Sequence, residues 1–417
     1  MSHVVELMAS MAWVLGLGLL AARLMRATGV PDLVLYMLIG LLLGPQALDL
    51  VHLPASGAFG QLIVTGGAVF MLYEGGRAID IGVLRRIWLG TALLATLGVL
   101  ITGSVVSVAV HYLLGLPWAV AALGGAAIAS TDPATIIPLF AQVRVAPRIR
   151  QLVIAESAFN DATSAVLTFT VLAIVGGQVP GAAAVGGTFL RMLLTGLTVG
   201  IGVGFLVQLL IAEGRRLAFF GLGEEHAVAS LFAMLAAYVV AAGLGGSGFM
   251  AVFVAGIVRG NGGSFGLHIH LERAASHDSF LALLGTAVRM LIFGVLGANV
   301  NLRLIGTVGI AGLGVVAALM FIGRPLTVFA CLGLDRGARW SLREMLFTSW
   351  VRETGVVPAA LASLLLASGA PGADHLAALV FLAVLVTILL QGLTTAAWAR
   401  RTGVSALEGS AAPISDP

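Results

Sequence analysis

Long apolar runs, separated by short turns rich in glycine, proline or charge, repeat along almost the whole of the 417-residue chain. A helix crossing a hydrocarbon layer takes about 20 apolar residues, and these runs match that length. Cutting at turn residues and charges predicts thirteen helices. They fall near Val4–Leu24, Pro31–Leu50, Phe59–Ile79, Ile87–Leu114, Pro117–Gln142, Gln151–Gly176 and Ala183–Ile211. The rest are Glu225–Ala242, Gly246–Arg259, Ser279–Val300, Ile305–Leu332, Glu344–Ser368 and His375–Trp398. The stretch from Glu225 to Arg259 is too long for one ordinary span and is split at the glycines between Gly243 and Gly248.

Composition turns this pattern into a class. Hydrophobic residues make up 59% of the chain and charged ones only 10%, where soluble domains carry roughly 25% charge. A single water-soluble core stops growing near ~250–300 residues, and no polar linkers divide this chain into smaller ones. Soluble enzymes, disordered chains and nucleic-acid binders are excluded, leaving a polytopic all-α membrane protein. Cys331 is the single cysteine, so no internal disulfide forms. The first run lacks a basic leader and reads as a span, not a signal peptide.

Charge then sets orientation. Every basic residue is arginine, with no lysine. With the N-terminus outside, the inner loops and span ends collect seventeen arginines, from Arg23 and Arg26 to Arg400 and Arg401, while the outer side holds only Arg191 and Arg303. That is the positive-inside bias, and a missed span would scramble it. The C-terminus is then cytoplasmic, and residues 402–417 read as a disordered tail.

Ionisable residues at bilayer depth are costly and mark function. They are Glu74, Asp132, Glu156, Asp161, Arg289, Arg324, Arg352 and Glu353. In Ser130-Thr131-Asp132-Pro133 the proline removes a donor and disfavours helix before it, so the span opens at Thr131–Asp132. Broken helices at this depth line cavities, and their freed carbonyls bind ions; a proline kink with a capping aspartate is the plainer alternative. In Glu156-Ser157-Ala158-Phe159-Asn160-Asp161, helical spacing puts Ser157 one turn below Asp161 and Glu156 near Asn160. Carboxylate, amide and hydroxyls form a hard oxygen set suited to an alkali cation. A buried carboxylate bonding between helices is the alternative for Asp161, and Asn160 fits either ligation or holding the neighbouring helix opening.

A second broken span contains Arg352-Glu353-Thr354-Gly355-Val356-Val357-Pro358. Two broken spans in corresponding halves point to inverted repeats, here Ile87–Gly176 and Ile305–Trp398, with the site at their crossing. Arg352 needs a buried partner, and Glu156 is the expected one, an architectural pair. Glu74, near the inner end of the third span, is either a water-linked acid serving the site or a partner for Arg77. His268, His270 and His277 sit in what reads as a solvated cytoplasmic loop, with metal binding or pH sensing the alternative. Gly66–Gly67, Gly124–Gly125 and Gly200 with Gly204 allow close helix packing.

Thr131-Asp132-Pro133, Glu156-Ser157, Asn160-Asp161, the Glu74-Gly75-Gly76 turn and Arg352 together resemble the monovalent cation/proton antiporter superfamily, most closely its electroneutral NhaP-type sodium/proton branch. The electrogenic branch carries Asp-Asp in place of Asn160-Asp161 and a core lysine, which this chain lacks. The resemblance implies a homodimer in the cell inner membrane. It divides the chain into a dimerisation domain (1–81 and 179–302) and a core domain (82–178 and 303–401) of two inverted three-span repeats. It implies that Asp161 is the transport carboxylate, with Ser157 and Thr131 as Na+ ligands. Asp132 then lies at the crossing, Glu74 contributes through water, and Glu156 pairs with Arg352. The activity implied is electroneutral exchange of Na+ or Li+ for H+, with no enzymatic chemistry and no cofactor. K+/H+ exchange and a cation channel are the competing readings.

Overall fold

The computed structural model describes residues 3–404, apart from 29, 31, 55–56, 133–135, 138, 141–142, 144, 178–180, 214–225 and 267–270. His268 and His270 therefore lie outside the described residues, as does nearly all of the predicted tail. His277 lies on a helix, and its side chain is not described.

The fold is all helix, and the elements follow the apolar runs. The first helices are α1 (His3–Thr28), α2 (Asp32–Leu43), α3 (Ala58–Arg77), α4 (Ile81–Ala95) and α5 (Leu97–Leu114). After them come α6 (Trp118–Ile128), α7 (Pro147–Val175), α8 (Ala182–Glu213), α9 (His226–Gly243), α10 (Gly248–Gly260) and α11 (Leu271–Ala298). The chain continues through α12 (Leu302–Ala318), a π turn (Leu319–Gly323), α13 (Arg324–Leu334), α14 (Leu342–Trp350), α15 (Val356–Ala367) and α16 (Ala373–Thr402). Among the described residues, seven helical stretches are long and apolar enough to cross a membrane, including Ile81–Leu114, Pro147–Val175, Leu302–Leu334 and Ala373–Thr402. Shorter apolar helices account for most of the other predicted spans.

Two features differ from the sequence reading. The fourth run starts at Ile81, six residues before the expected Ile87, because Asp80 caps it by accepting from the Gly82 and Val83 amides. Arg85 and Arg86 are thus helical, not in a loop. The span read from the sequence over Ile305–Leu332 runs over Leu302–Leu334 and is interrupted twice, at Gly309 and by the π turn just before Arg324. The split at the glycines holds: Gly245 adopts a positive φ of 72°, and the Gly246 amide donates to Ala241 O at the end of α9.

The helices sort into two packed sets. One joins α1, α2 and α3 with α8 to α11; the other joins α4 to α7 with α12 to α16. In the first set, backbones approach through glycine. Gly200 faces Ala251 O of α10, and a β-carbon there would lie 2.5 Å from it. The second set contains two similar trios, each a long helical run, a short helix that stops within the apolar layer, and a long unbroken helix. The sets meet where α7 contacts α3, α8 and α10, where α15 contacts α3, and where α16 contacts α2.

Candidate ion-binding site

The site forms where the two interrupted helices cross. α6 stops at Ile128, residues 130–132 are non-helical, and helix resumes from Ile136, whose amide donates to Asp132 O. On the other side α14 stops at Trp350, residues 351–355 are non-helical, and α15 starts at Val356. The breaks touch through the main chain, the Asp132 amide donating to Glu353 O at 3.0 Å. They are so close that a β-carbon on Gly355 would lie 1.8 Å from Asp132 Oδ2.

A helix that ends in a dry interior leaves carbonyls without partners. Here two buried arginines supply the missing donors, as cations at helix C-termini do generally. Arg352, 1% exposed, donates to Ile128 O at 2.8 Å and Ala129 O at 2.9 Å, the last carbonyls of α6, and to Thr354 Oγ1. Arg324, also 1% exposed, donates to Thr348 O and Val351 O at the end of α14. The end of α6 is therefore capped by Arg352 from the second break, and the end of α14 by Arg324 at the start of α13.

This corrects one expectation. Glu156 does not pair with Arg352; its carboxylate takes both Nη groups of Arg324, the Nη2–Oε2 contact measuring 2.9 Å. The reason is geometric. Arg352 lies in the break and turns its guanidinium onto α6, whereas the π turn brings Arg324 against α7, which carries Glu156.

The long helix α7 holds the first break from the side. Asn160 accepts from the Thr131 amide at 3.2 Å and donates to Thr131 Oγ1 at 2.8 Å. Thr131 Oγ1 lies 2.6 Å from Ser157 Oγ, and Ser164 donates to Ala126 O. Of the two roles open to Asn160, these bonds are those of the residue that holds the helix opening. Thr131, Ser157, Asn160, Asp161 and Asp132 are thus brought together, each 2% exposed or less.

Asp161 stands apart from its neighbours. It is fully buried, and neither carboxylate oxygen has a hydrogen-bond partner. The buried Ser130 hydroxyl is the polar group that faces it, and Asp132 lies within electrostatic reach. Glu353 is the other carboxylate whose oxygens are both buried and unpartnered among the described residues. The sequence reading placed it at bilayer depth without giving it a role; its position beside Arg352 was the available signal. Glu74 forms an ion pair with Arg77 at 2.8 Å, the partner alternative of the two left open. Among the described residues no group of three or more His, Cys, Asp or Glu side chains forms a metal cage. The arrangement can hold one small cation on mixed oxygens, or one proton.

A family model described as "Sodium/hydrogen exchanger, transmembrane" matches residues 12–401. The Na(+)/H(+) antiporter 1 of Methanocaldococcus jannaschii is 31% identical over 92% of each chain. The K(+)/H(+) antiporter NhaP of Alkalimonas amylolytica is also 31% identical, over 90% of this chain but 63% of its own length. A structure of the sodium proton antiporter MjNhaP1 from M. jannaschii at pH 8 aligns with a TM-score of 0.75 at 27% identity, covering 95% of this chain and 98% of that one. An electron-microscopy structure of the same antiporter aligns with a TM-score of 0.79 at 28% identity over the full length of both.

Proposed function

Since the chain belongs to the sodium/hydrogen exchanger family, we propose that it exchanges Na+ or Li+ for H+ across the membrane, one for one, at Asp161. The observation that carries this reading is the buried, unpartnered Asp161 carboxylate. A bare carboxylate out of water is costly, so the group takes either a proton or a cation. One acid that accepts only one of the two at a time is sufficient for exchange.

In this reading Asp161 binds the cation with Ser157 Oγ and Thr131 oxygens, while Asn160 fixes Thr131 in place and stays neutral. Asp132 completes the negative surroundings at the crossing. Glu156 serves as the counter-charge of Arg324 and Arg352 as the cap of α6, so neither adds charge to the cycle. Glu74 tethers Arg77 near the end of α3. If only neutralised forms of Asp161 cross, no net charge moves in a full cycle.

The proposal extends to the whole molecule. Residues 82–178 and 303–401 form the core domain that carries the site. Residues 1–81 and 179–302 form the scaffold through which two copies pair as a homodimer. Thirteen spans place the N-terminus outside and the C-terminus in the cytoplasm of the cell's inner membrane. A cavity of about 360 Å³ between the two helix sets supports this division. It is lined by Gln61, Thr65, Tyr238 and Val357, and reaches Ala165, one helical turn from Asp161.

The second reading is K+/H+ exchange on the same residues, favoured by the identity to the A. amylolytica antiporter. Dissipation of a pH gradient in proteoliposomes, with Na+, Li+ and K+ in turn and with the membrane potential clamped or free, separates the readings. The proposal expects Na+ and Li+ to drive proton movement that ignores the clamp, and Asp161→Asn to abolish it. Flux that follows the potential would indicate a channel. Wild-type exchange by Asp161→Asn would remove the site.

A further inference from the structure

On the rim of the second helix set, away from the crossing, lies a groove of about 740 Å³. It runs between the start of α4, the start of α7 and the turn joining α13 to α14, and Arg86 and Arg148 line it beside Val83 and Ile87. The two arginines differ. Arg148 is fixed: its guanidinium carbon sits 4.1 Å over the Trp340 ring, Nη2 donates to Ala338 O, and Nε is 3.2 Å from Glu344. Arg86 is exposed and makes no hydrogen bond or ion pair among the described residues.

The carboxylates around the groove are already engaged. Asp335 accepts from Gly90 N, Ala338 N and Trp340 Nε1. Glu344 closes the capping box of α14 with Ser341 and pairs with Arg148. Asp80 caps α4. One guanidinium held in place by Glu344 and one that pairs with no described residue therefore share a pocket whose other nearby acids, Asp335 and Asp80, face backbone amides and Trp340, an arrangement suited to an anion.

The neighbouring surface says which anion. On the elements that bound the groove, Trp88 of α4, Leu334 at the end of α13 and Leu342 at the start of α14 are exposed by 62%, 60% and 60%. Large apolar side chains exposed beside arginine mark the boundary between headgroups and hydrocarbon, where tryptophan concentrates. A free anion has no use for that apolar flank; a lipid has acyl chains to lay along it. Basic pockets between helices on the cytoplasmic side bind anionic headgroups. A general surplus of inner arginines accounts for the charge, but not for a pocket that fixes one guanidinium and leaves another open.

We propose that this groove binds the phosphate of an anionic phospholipid headgroup, held by Arg86 and Arg148 with its chains against the lipid-facing side of α4. The proposal needs only that this rim lies at a bilayer surface, so it stands or falls separately from the assignment of Asp161.

The test uses the full-length protein in neutral detergent, titrated with dioctanoyl phosphatidylglycerol, dioctanoyl phosphatidylcholine and inorganic phosphate. Saturable binding of the phosphatidylglycerol is expected, with much weaker binding of the other two. One arginine near an anionic surface contributes about 1 kcal/mol, so Arg86→Gln should weaken binding about fivefold. Arg86→Lys, which keeps the charge, should restore most of it, and Arg303→Gln, in the first turn of α12, should leave it unchanged. Equal binding of phosphatidylcholine, equal binding of inorganic phosphate, or an unaltered Arg86→Gln would each overturn the proposal. Because Arg86 is solvent-exposed and pairs with no described residue, both of its variants are expected to fold.

Discussion

At the scale of single residues, Gly355 defines how closely the two breaks approach. The Asp132 carboxylate occupies the space that a β-carbon on residue 355 would need. Gly355→Ala forces the breaks apart or rotates Asp132, and overpacking of this kind costs about 1–3 kcal/mol. The variant is expected to lose most exchange activity while still reaching the membrane. Gly202→Ala, with nothing within 4 Å of the new β-carbon, is expected to behave as wild type in the same proteoliposome assay. The close set at the site was legible in the sequence because Ser157, Asn160 and Asp161 share one helix and Pro133 marks the opening opposite. The arginine partners were not. Two buried arginines and several buried acids admit more than one pairing, and no spacing rule acts between residues 168 positions apart.

At the scale of elements, proline and glycine announced both interrupted helices. The π turn went unread although Pro325, just inside α13, lacks the amide that would bond Phe321 O and so disturbs the helix here. That extra residue per turn sets the direction of Arg324, and so decides which arginine Glu156 meets. The early start of α4 was hidden by Arg85 and Arg86, charges that suggested a loop but that long side chains can carry at a helix end. The Glu156–Arg324 pair also carries a prediction. Removing one member of a buried pair strands the other and destabilises by about 3–5 kcal/mol, while replacing both is milder. Arg324→Ala should therefore lower folded yield more than the double variant Arg324→Met with Glu156→Gln. Size-exclusion profiles after mild heating would report the order. Equal loss in both would mean that Arg324 acts through its bonds to Thr348 O and Val351 O instead.

At the scale of the whole molecule, the alternation of apolar runs and arginine-bearing turns made the all-helical fold readable, and the pair of broken spans located the crossing. Composition could not say how the helices divide into two packed sets, since both are equally apolar. That division depends on glycine contacts such as Gly200 on Ala251, whose partners lie far apart in sequence. In the proposed cycle the set bearing Asp161 moves against the other. Competition at one acid gives the apparent affinity for Na+ a definite sign with pH: it weakens as pH falls, because protons occupy the same carboxylate.

Counting protons released as sodium binds tests this competition most directly. Calorimetric titration of the purified protein with Na+, repeated in buffers of different ionisation enthalpy, should show about one proton released per cation bound at a pH where Asp161 is protonated. Asp161→Asn should bind sodium weakly and release none. Sodium uptake that leaves the bound protons undisturbed, or release that persists in Asp161→Asn, would contradict the account.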